Sequence, residues 1–424
     1  MKMKCVVLVC LLIALALQTA QARSLEDVLK EKGVITEEDY REVTKSRPLD
    51  YKLGEGFTFT SPDEKFKGSV GSQLQLRYTF FDRDNEANPL AQDQSEFRLR
   101  RIKLYFNGYA FTPDLTYKLQ MNFAEQVNSP TNSSKLLEET YLNYRFMNEA
   151  QLRFGQDKTP FARQELVSTS ALQFVERSFV TDAFKPGYDT GLKFHGKAFD
   201  ALVAYDIGVY GGVGQGNFRT TDNNALAARL AINPLGDVKY SESDVEYSEE
   251  PLFSVAASYF MDTLRKSTAA SGAASFEANN LSLASASGWL GRGIGLFGAN
   301  EDIDTDSFEI DSVFKWRGLS VQGEYFLAQG EGKTSGRLLR AHGFYAQAGY
   351  FIILRHLELA ARYSWMDPNR DSATSDIRSE VTGAVSYYFD KHNLKIQGDI
   401  SDTHDQSTSF SDDMMYRIQV QLLF

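Results

Sequence analysis

From Phe66 onward the chain alternates apolar and polar residues with a period of two. Phe66, Gly68, Val70, Leu74, Leu76, Tyr78 and Phe80 fall on one face and Lys67, Ser69, Gln73, Gln75, Arg77 and Thr79 on the other, the pattern of a half-buried strand. The pattern recurs to the last stretch, 414–424, where Met414, Tyr416, Ile418, Val420, Leu422 and Phe424 take every second position. Such a strand is an adhesive edge unless it pairs with the first strand and closes a barrel. The periodicity predicts strands at about 66–81, 97–110, 114–127, 136–147, 150–158, 187–197, 199–210, 224–233, 252–261, 306–316, 319–328, 341–354, 357–366, 377–389, 393–402 and 414–424. The fold class is therefore all-β: a transmembrane antiparallel barrel of about sixteen strands, an even number as outer-membrane barrels have.

The connections sort into two kinds. Those at 111–113, 148–149, 198, 317–318, 355–356 and 390–392 are tight, and those at 82–96, 128–135, 159–186, 211–223, 262–305, 329–340, 367–376 and 403–413 are long and polar. The two kinds alternate, with one exception at 234–251, an acidic stretch carrying Asp237, Glu242, Asp244, Glu246, Glu249 and Glu250 that alternation assigns to the short-turn side. Short periplasmic turns and long outer loops are the arrangement of membrane barrels. With no compact plug ahead of the barrel, an open, water-filled lumen is expected. Within the long connections, Gly211-Gly212-Val213-Gly214-Gln215-Gly216 reads as a loop tip, since no crossover helix follows it. The Ala/Ser-rich run 264–286 reads as a flexible outer loop, part of which could form an extra strand pair.

The first residues set the compartment. Lys2 and Lys4 precede the apolar run 5–17, and Ala20-Gln21-Ala22 supplies a cleavage site, so 1–22 is expected to be a signal peptide removed on export. Cys5 and Cys10 lie inside it, which leaves the mature chain without a disulfide framework or Cys-based metal site. Residues 23–55 are expected to form a helical periplasmic leader: Ser24 caps a helix that stops at Gly33, and Thr36 with Asp39 opens a second. The barrel takes 56–424. Past residue 22 there is no apolar run long enough for a spanning helix. The aromatic content, 30 Phe, 21 Tyr and 3 Trp in 424 residues, suits interfacial girdles, and a formal charge of −11 argues against a nucleic-acid partner.

Parity assigns charges to the lumen, because Arg or Lys on the lipid face near the midplane costs about 2–4 kcal/mol. Ile102, Leu104 and Phe106 facing lipid turn Arg101 and Lys103 inward, and the third strand turns Lys118, Gln120 and Asn122 inward. Phe97 and Leu99 have the opposite parity, which a bulge near Arg100 would reconcile, bringing Arg100 and Arg101 together toward the channel. Arg145, Arg153, Lys193, His195 and Lys197 also fall inward, so the N-terminal half is lined with cations. The C-terminal half is mixed: Glu309, Asp311, Glu324, Glu358, Glu380 and Asp399 accompany Lys315, Arg362, Arg378 and Lys395. One basic and one mixed wall support a weak anion preference.

The long connection after the fifth strand is the functional candidate. Leu166, Leu172, Phe174, Val175 and Phe179 give it too much apolar content for a solvated loop. Folded into the barrel at about 156–186, it becomes a constriction loop presenting Lys158, Arg163 and Arg177 to solutes, with Glu165 and Glu176 as tethers.

The motifs G-Q-D-K-T-P-F (155–161), Q-E-L (164–166), F-V-E-R-S (174–178), A-F-K-P-G (183–187) and D-T-G-L (189–192) resemble the phosphate-selective porin O/P family. F-R-L-R-R-I-K-L (97–104) is similar to its arginine-rich second strand, and G-V-I-T-E-E-D-Y (33–40) fits its leader. The resemblance implies a porin of the Gram-negative outer membrane, a homotrimer in contact with lipid and lipopolysaccharide, whose infolded loop and basic wall select small anions such as phosphate or polyphosphate. Carried over by motif, Arg100, Arg101, Lys158, Arg163 and Arg177 are the selecting residues, to which parity adds Lys103 and Lys118. Asp157 beside Lys158 and the acidic opposite wall depart from the pattern.

No cofactor, metal site or enzymatic activity is expected. The five histidines, His195, His342, His356, His392 and His404, show neither zinc-ligand spacing nor a hydrolytic constellation. An outer-membrane hydrolase and a scaffold or adhesin barrel with little transport are the alternatives to a porin.

Overall fold

The computed structural model describes residues 29–36, 38, 49–85, 92–124, 135–216, 219, 221–268, 274–277, 281–372, 376–406 and 411–424. The chain divides into two units, Met1–Asp50 and Tyr51–Phe424. In the first, residues 29–31 are helical and the chain turns at Gly33, whose φ of 69° suits glycine. There the Gly33 and Val34 amides bond back to the Lys30 and Leu29 carbonyls. The signal peptide, the Ser24 cap and Asp39 of the second cap lie outside the described residues.

The second unit is a closed barrel of sixteen antiparallel strands: β1 (Phe66–Asn85), β2 (Gln94–Ala110), β3 (Thr112–Asn122), β4 (Leu137–Met147), β5 (Ala150–Lys158), β6 (Tyr188–Ala198), β7 (Val203–Tyr210), β8 (Ala225–Ile232), β9 (Leu252–Thr268), β10 (Asp302–Trp316), β11 (Leu319–Gly332), β12 (Leu338–Ile353), β13 (Leu357–Asp367), β14 (Arg378–Asp390), β15 (Leu394–Asp405) and β16 (Ser411–Leu423). Every expected strand is present, several of them longer toward the loop rim. Closure runs from Ser411 opposite Asn85 to Leu423 opposite Gln73. Ser72 and Phe424 then exchange both backbone hydrogen bonds, at 2.6 and 3.0 Å, so the terminal residue is paired rather than left as an edge. A short strand, Gly56–Thr60, continues the ladder below by pairing with the start of β1.

Turn chemistry matches the predicted rims. Trp316 pairs with Leu319 across Arg317 and Gly318, whose φ values of 46° and 85° make the primed two-residue turn that the strand twist favours. Along β1 the inward Gln73, Gln75, Arg77 and Thr79 are buried, while Leu76 stays exposed on the outer surface. Among the bulges that break this parity, two lie beside the lumen cations. Arg100 is the extra residue between Leu99, opposite Leu76, and Arg101, opposite Gln75. Glu138 is extra between Leu137, opposite Met121, and Glu139, opposite Gln120, and so both glutamates turn inward.

The lumen is not the open channel expected from the sequence. Three segments fill it against the C-terminal wall. The first is the connection 159–187, with helices α1 (Arg163–Leu166) and α2 (Phe179–Phe184). Ser178 caps α2 by accepting the Val180 amide, and the helix stops at Lys185, held extended by the following Pro186.

The second segment is 281–297, carrying α3 (Trp289–Arg292). Its Leu281, Leu283, Trp289 and Leu290 are buried in one apolar cluster with Phe161, Val180 and Phe184 of the first segment and Phe260, Phe326 and Leu339 of the wall. This corrects the expectation of a flexible loop for the part of 264–286 that is described. The expected extra strand pair is also there, between the end of β9 and Ala274–Phe276.

The third is the acidic connection 233–251, which enters from the short-turn rim instead of covering it. Lys315 reaches from the wall to the carbonyls of Ser241 (2.7 Å) and Ser243 (3.1 Å), and Asp244 accepts the Gly318 amide at 2.8 Å.

Candidate functional site

The constriction loop crosses the lumen and is pinned to the far wall by amides and carboxylates. The Gln164 side chain donates to Gln347 Oε1 at 3.3 Å, Gln173 donates to Ser320 at 2.7 Å and to Glu358, the Val175 amide donates to Asp399 at 3.1 Å, and Lys395 donates to the Leu172 carbonyl at 2.8 Å. Glu242 of the third segment holds it from below, accepting from the Gln164 side chain and the Gln173 amide, both at 2.7 Å. The loop is therefore a fixed wall.

What it leaves free is a cavity of about 370 Å³ against β2–β7. Lys103, Lys118, Arg153, Lys158 and Lys193 line it with His195, facing Glu139, Asp157 and Asp206; Leu166, Ser168, Thr169 and Tyr240 come from the infolded segments. Five cations face three carboxylates. Most are paired within the wall. Lys103 meets Glu138 at 2.5 Å, Lys118 bonds Glu139, and Asp157 binds both Arg153 and Lys193, the latter at 2.7 Å.

Of the residues proposed from sequence as selecting anions, Lys103, Lys118 and Lys158 line this cavity. Lys158 does so with its ammonium turned to the carbonyls of Glu165 (2.6 Å) and Val167 (3.1 Å), where it closes the end of α1. Arg177 bonds the carbonyls of Gln164 and Val167, at 2.9 and 2.8 Å, and the Glu165 carboxylate at 3.2 Å. Arg163 donates to the Lys239 carbonyl at 3.1 Å and lies 5.0 Å from the Tyr240 ring centre. Both are buried and hold the loop together, a correction to their expected presentation to solutes. Arg100 and Arg101 do meet, beside Arg77, on the carboxylate of Glu176.

Glu165 and Glu176 both act as tethers. Burial alone would raise the Glu165 carboxyl, but Arg177, Lys185 and Lys158 outweigh it and hold it down to about 2. Burial is likewise outweighed at Glu176 by Arg100, Arg101 and Arg77, which keep it well below the usual carboxylate range. The parity reading missed Glu138, which its bulge hides; Glu176, expected as a tether, reaches the basic wall from a loop that has no period.

The family model for phosphate-selective porins O and P matches residues 69–424. The chain belongs to that family. As a porin it forms an outer-membrane channel, which places the long loops outside and the short turns in the periplasm. Its relatives include an uncharacterized protein of Aquifex aeolicus (strain VF5), 24% identical with 93% of each chain covered. Porin O of Pseudomonas aeruginosa is 25% identical over 29% of this chain and 27% of its own. The barrel is similar to the anion-selective porin from Comamonas acidovorans, with a TM-score of 0.59 and 9% identity over 84% of this chain and 99% of that one. It is also similar to the outer membrane channel DcaP of Acinetobacter baumannii, with a TM-score of 0.56 and 12% identity over 87% and 100%.

Proposed function

We propose that this porin conducts small anionic solutes, inorganic phosphate among them, by passive diffusion along the cationic wall of β2–β7. The observation that carries this reading is the cavity beside the constriction loop, where Lys103, Lys118, Arg153, Lys158 and Lys193 outnumber Glu139, Asp157 and Asp206. An excess of positive charge in a walled space raises the local concentration of anions. Because most of these cations have a carboxylate partner, the preference is modest. The family name and the anion-selective Comamonas porin of the same fold support the sign of the selectivity. The chain is exported by its signal peptide and works as a homotrimer in lipid and lipopolysaccharide, as its family resemblance implies.

A hydrolytic role has less support. The Ser241–His392 contact of 3.1 Å is half-buried, and the other ring nitrogen of His392 faces the ammonium of Lys395 at 3.2 Å instead of an orienting carboxylate.

The test is the reversal potential of the purified porin in planar bilayers under a potassium chloride gradient, then a potassium phosphate gradient. Both are expected to show anion preference. A cation preference would overturn the reading, and absence of current would favour the scaffold alternative.

A further inference from the structure

We propose that Glu176 is the specificity-determining residue of this channel: its carboxylate is a tethered anion occupying an oxyanion seat built by Arg77, Arg100 and Arg101. The inference rests on the reading of the chain as an anion-conducting porin.

Glu176 Oε1 accepts from Arg77 at 2.7 Å and from Arg100 at 2.6 Å, and Oε2 accepts from Arg101 at 3.0 Å. Three guanidinium groups against one carboxylate leave two positive charges in excess. The barrel holds two of these arginines independently of Glu176. Arg77 donates to Gln419 Oε1 at 2.7 and 3.2 Å, and Arg101 donates to Gln75 Oε1 at 2.8 Å. The bulge in β2 adds Arg100, the most open of the three, with 30% of its side chain exposed against 7% for Arg77 and 6% for Arg101. Guanidinium forks in fixed positions are the donors that carboxylates and phosphates match. The seat would therefore persist if its present occupant lost its charge.

Glu176 is one tether of the loop among several. Its own carbonyl accepts from Arg362 at 3.0 Å, the Val175 amide is held by Asp399, and Gln173 is held by Ser320 and Glu358. Substituting the carboxylate by an amide of the same shape then vacates a charge without freeing a segment. The loop's glutamate does for the arginines what a solute anion would do, so the wild-type channel passes anions without retaining them.

The experiment measures chloride current through the full mature porin in bilayers while inorganic phosphate is added, for the wild type, Glu176→Gln and the double variant Glu176→Gln/Arg101→Gln. In Glu176→Gln the phosphate concentration that halves the current is expected to fall about tenfold, and the double variant is expected to lose the gain. Unchanged phosphate sensitivity in Glu176→Gln would overturn the proposal. So would a higher conductance without block, since that is the signature of a released loop. The wild-type reversal potential tests the anion-porin reading separately, so a cation-preferring wild type beside a phosphate-blocked variant would sink that reading and leave the seat standing.

Discussion

Lys103, Lys118 and Lys158 line one cavity and do different work, which burial and partners separate. Lys158 is buried and satisfies carbonyls at the end of α1. Lys158→Met strands those acceptors and is expected to cost about 1–3 kcal/mol, seen as a lower denaturant midpoint or as noisier open-channel current. Lys118 keeps 26% of its side chain exposed and pairs with Glu139 at the cavity. Lys118→Gln is expected to leave stability almost unchanged and to move the reversal potential toward cations by removing one charge from the lining. The tethers give a pH expectation as well. The carboxyls of Glu165 and Glu176 are depressed on folding, so their stabilisation is complete above the ordinary value near 4.5 and is lost as pH falls through the folded value, about 2 for Glu165. The loop should therefore stay docked from pH 7 to pH 4, with release only near pH 2. A rise starting near pH 5 in a conductance titration would mean that the tethers titrate as ordinary carboxylates.

Among the elements, the three infolded segments behave as a small protein core enclosed by a barrel. Phe184 of α2 lies 5.1 Å from Phe326 of the wall and 6.5 Å from Trp289 of α3, centre to centre, both stacked. Removing such a ring costs about 3–5 kcal/mol, and here the loss falls on the docking of 281–297 over the constriction loop, because the strand ladder is hydrogen-bonded independently. Phe184→Ala is expected to keep the heat-resistant folded migration of a barrel, to raise conductance, and to expose 281–297 to protease. Strands were legible in the sequence because parity is local: Phe66 to Phe80 can be assigned to a face without reference to any other segment. The docked loops were not. Leu281, Leu283 and Trp289 sit among Ala and Ser residues that read as a solvated loop, and their partners Phe161 and Phe184 are about a hundred residues away. The acidic run at 234–251 lies on the rim that alternation assigns to it, but nothing in its charges indicates that Glu242 meets the amides of Gln164 and Gln173 inside the barrel. Arg100 is the intermediate case, since the conflict between Phe97 and Ile102 announced a bulge that the ladder contains, without indicating which carboxylate would wait there.

At the scale of the whole channel, selectivity is a small difference between large compensating charges. The lining of the cavity has two more cations than carboxylates, one of them balanced by Glu138 behind Lys103, and the arginine seat of Glu176 has two more positive charges than its carboxylate. The C-terminal wall contributes little to the cavity, because the infolded segments cover it: Asp399 accepts the Val175 amide at 3.1 Å, and Glu358 accepts from Gln173 and Ser243. A field of this kind acts over the screening length of the electrolyte, about 10 Å in 0.1 M salt and about 3 Å in 1 M. At the lower concentration an ion entering the cavity feels the summed excess. At the higher one it feels only the pair nearest to it, in which lysine and carboxylate largely cancel. The anion-to-cation permeability ratio, measured at a fixed tenfold gradient centred first on 0.1 M and then on 1 M potassium chloride, is therefore expected to fall toward unity. A ratio that stays constant would place selectivity in a short-range contact with the ion, and the unpaired excess of the β2–β7 wall would then not be its source.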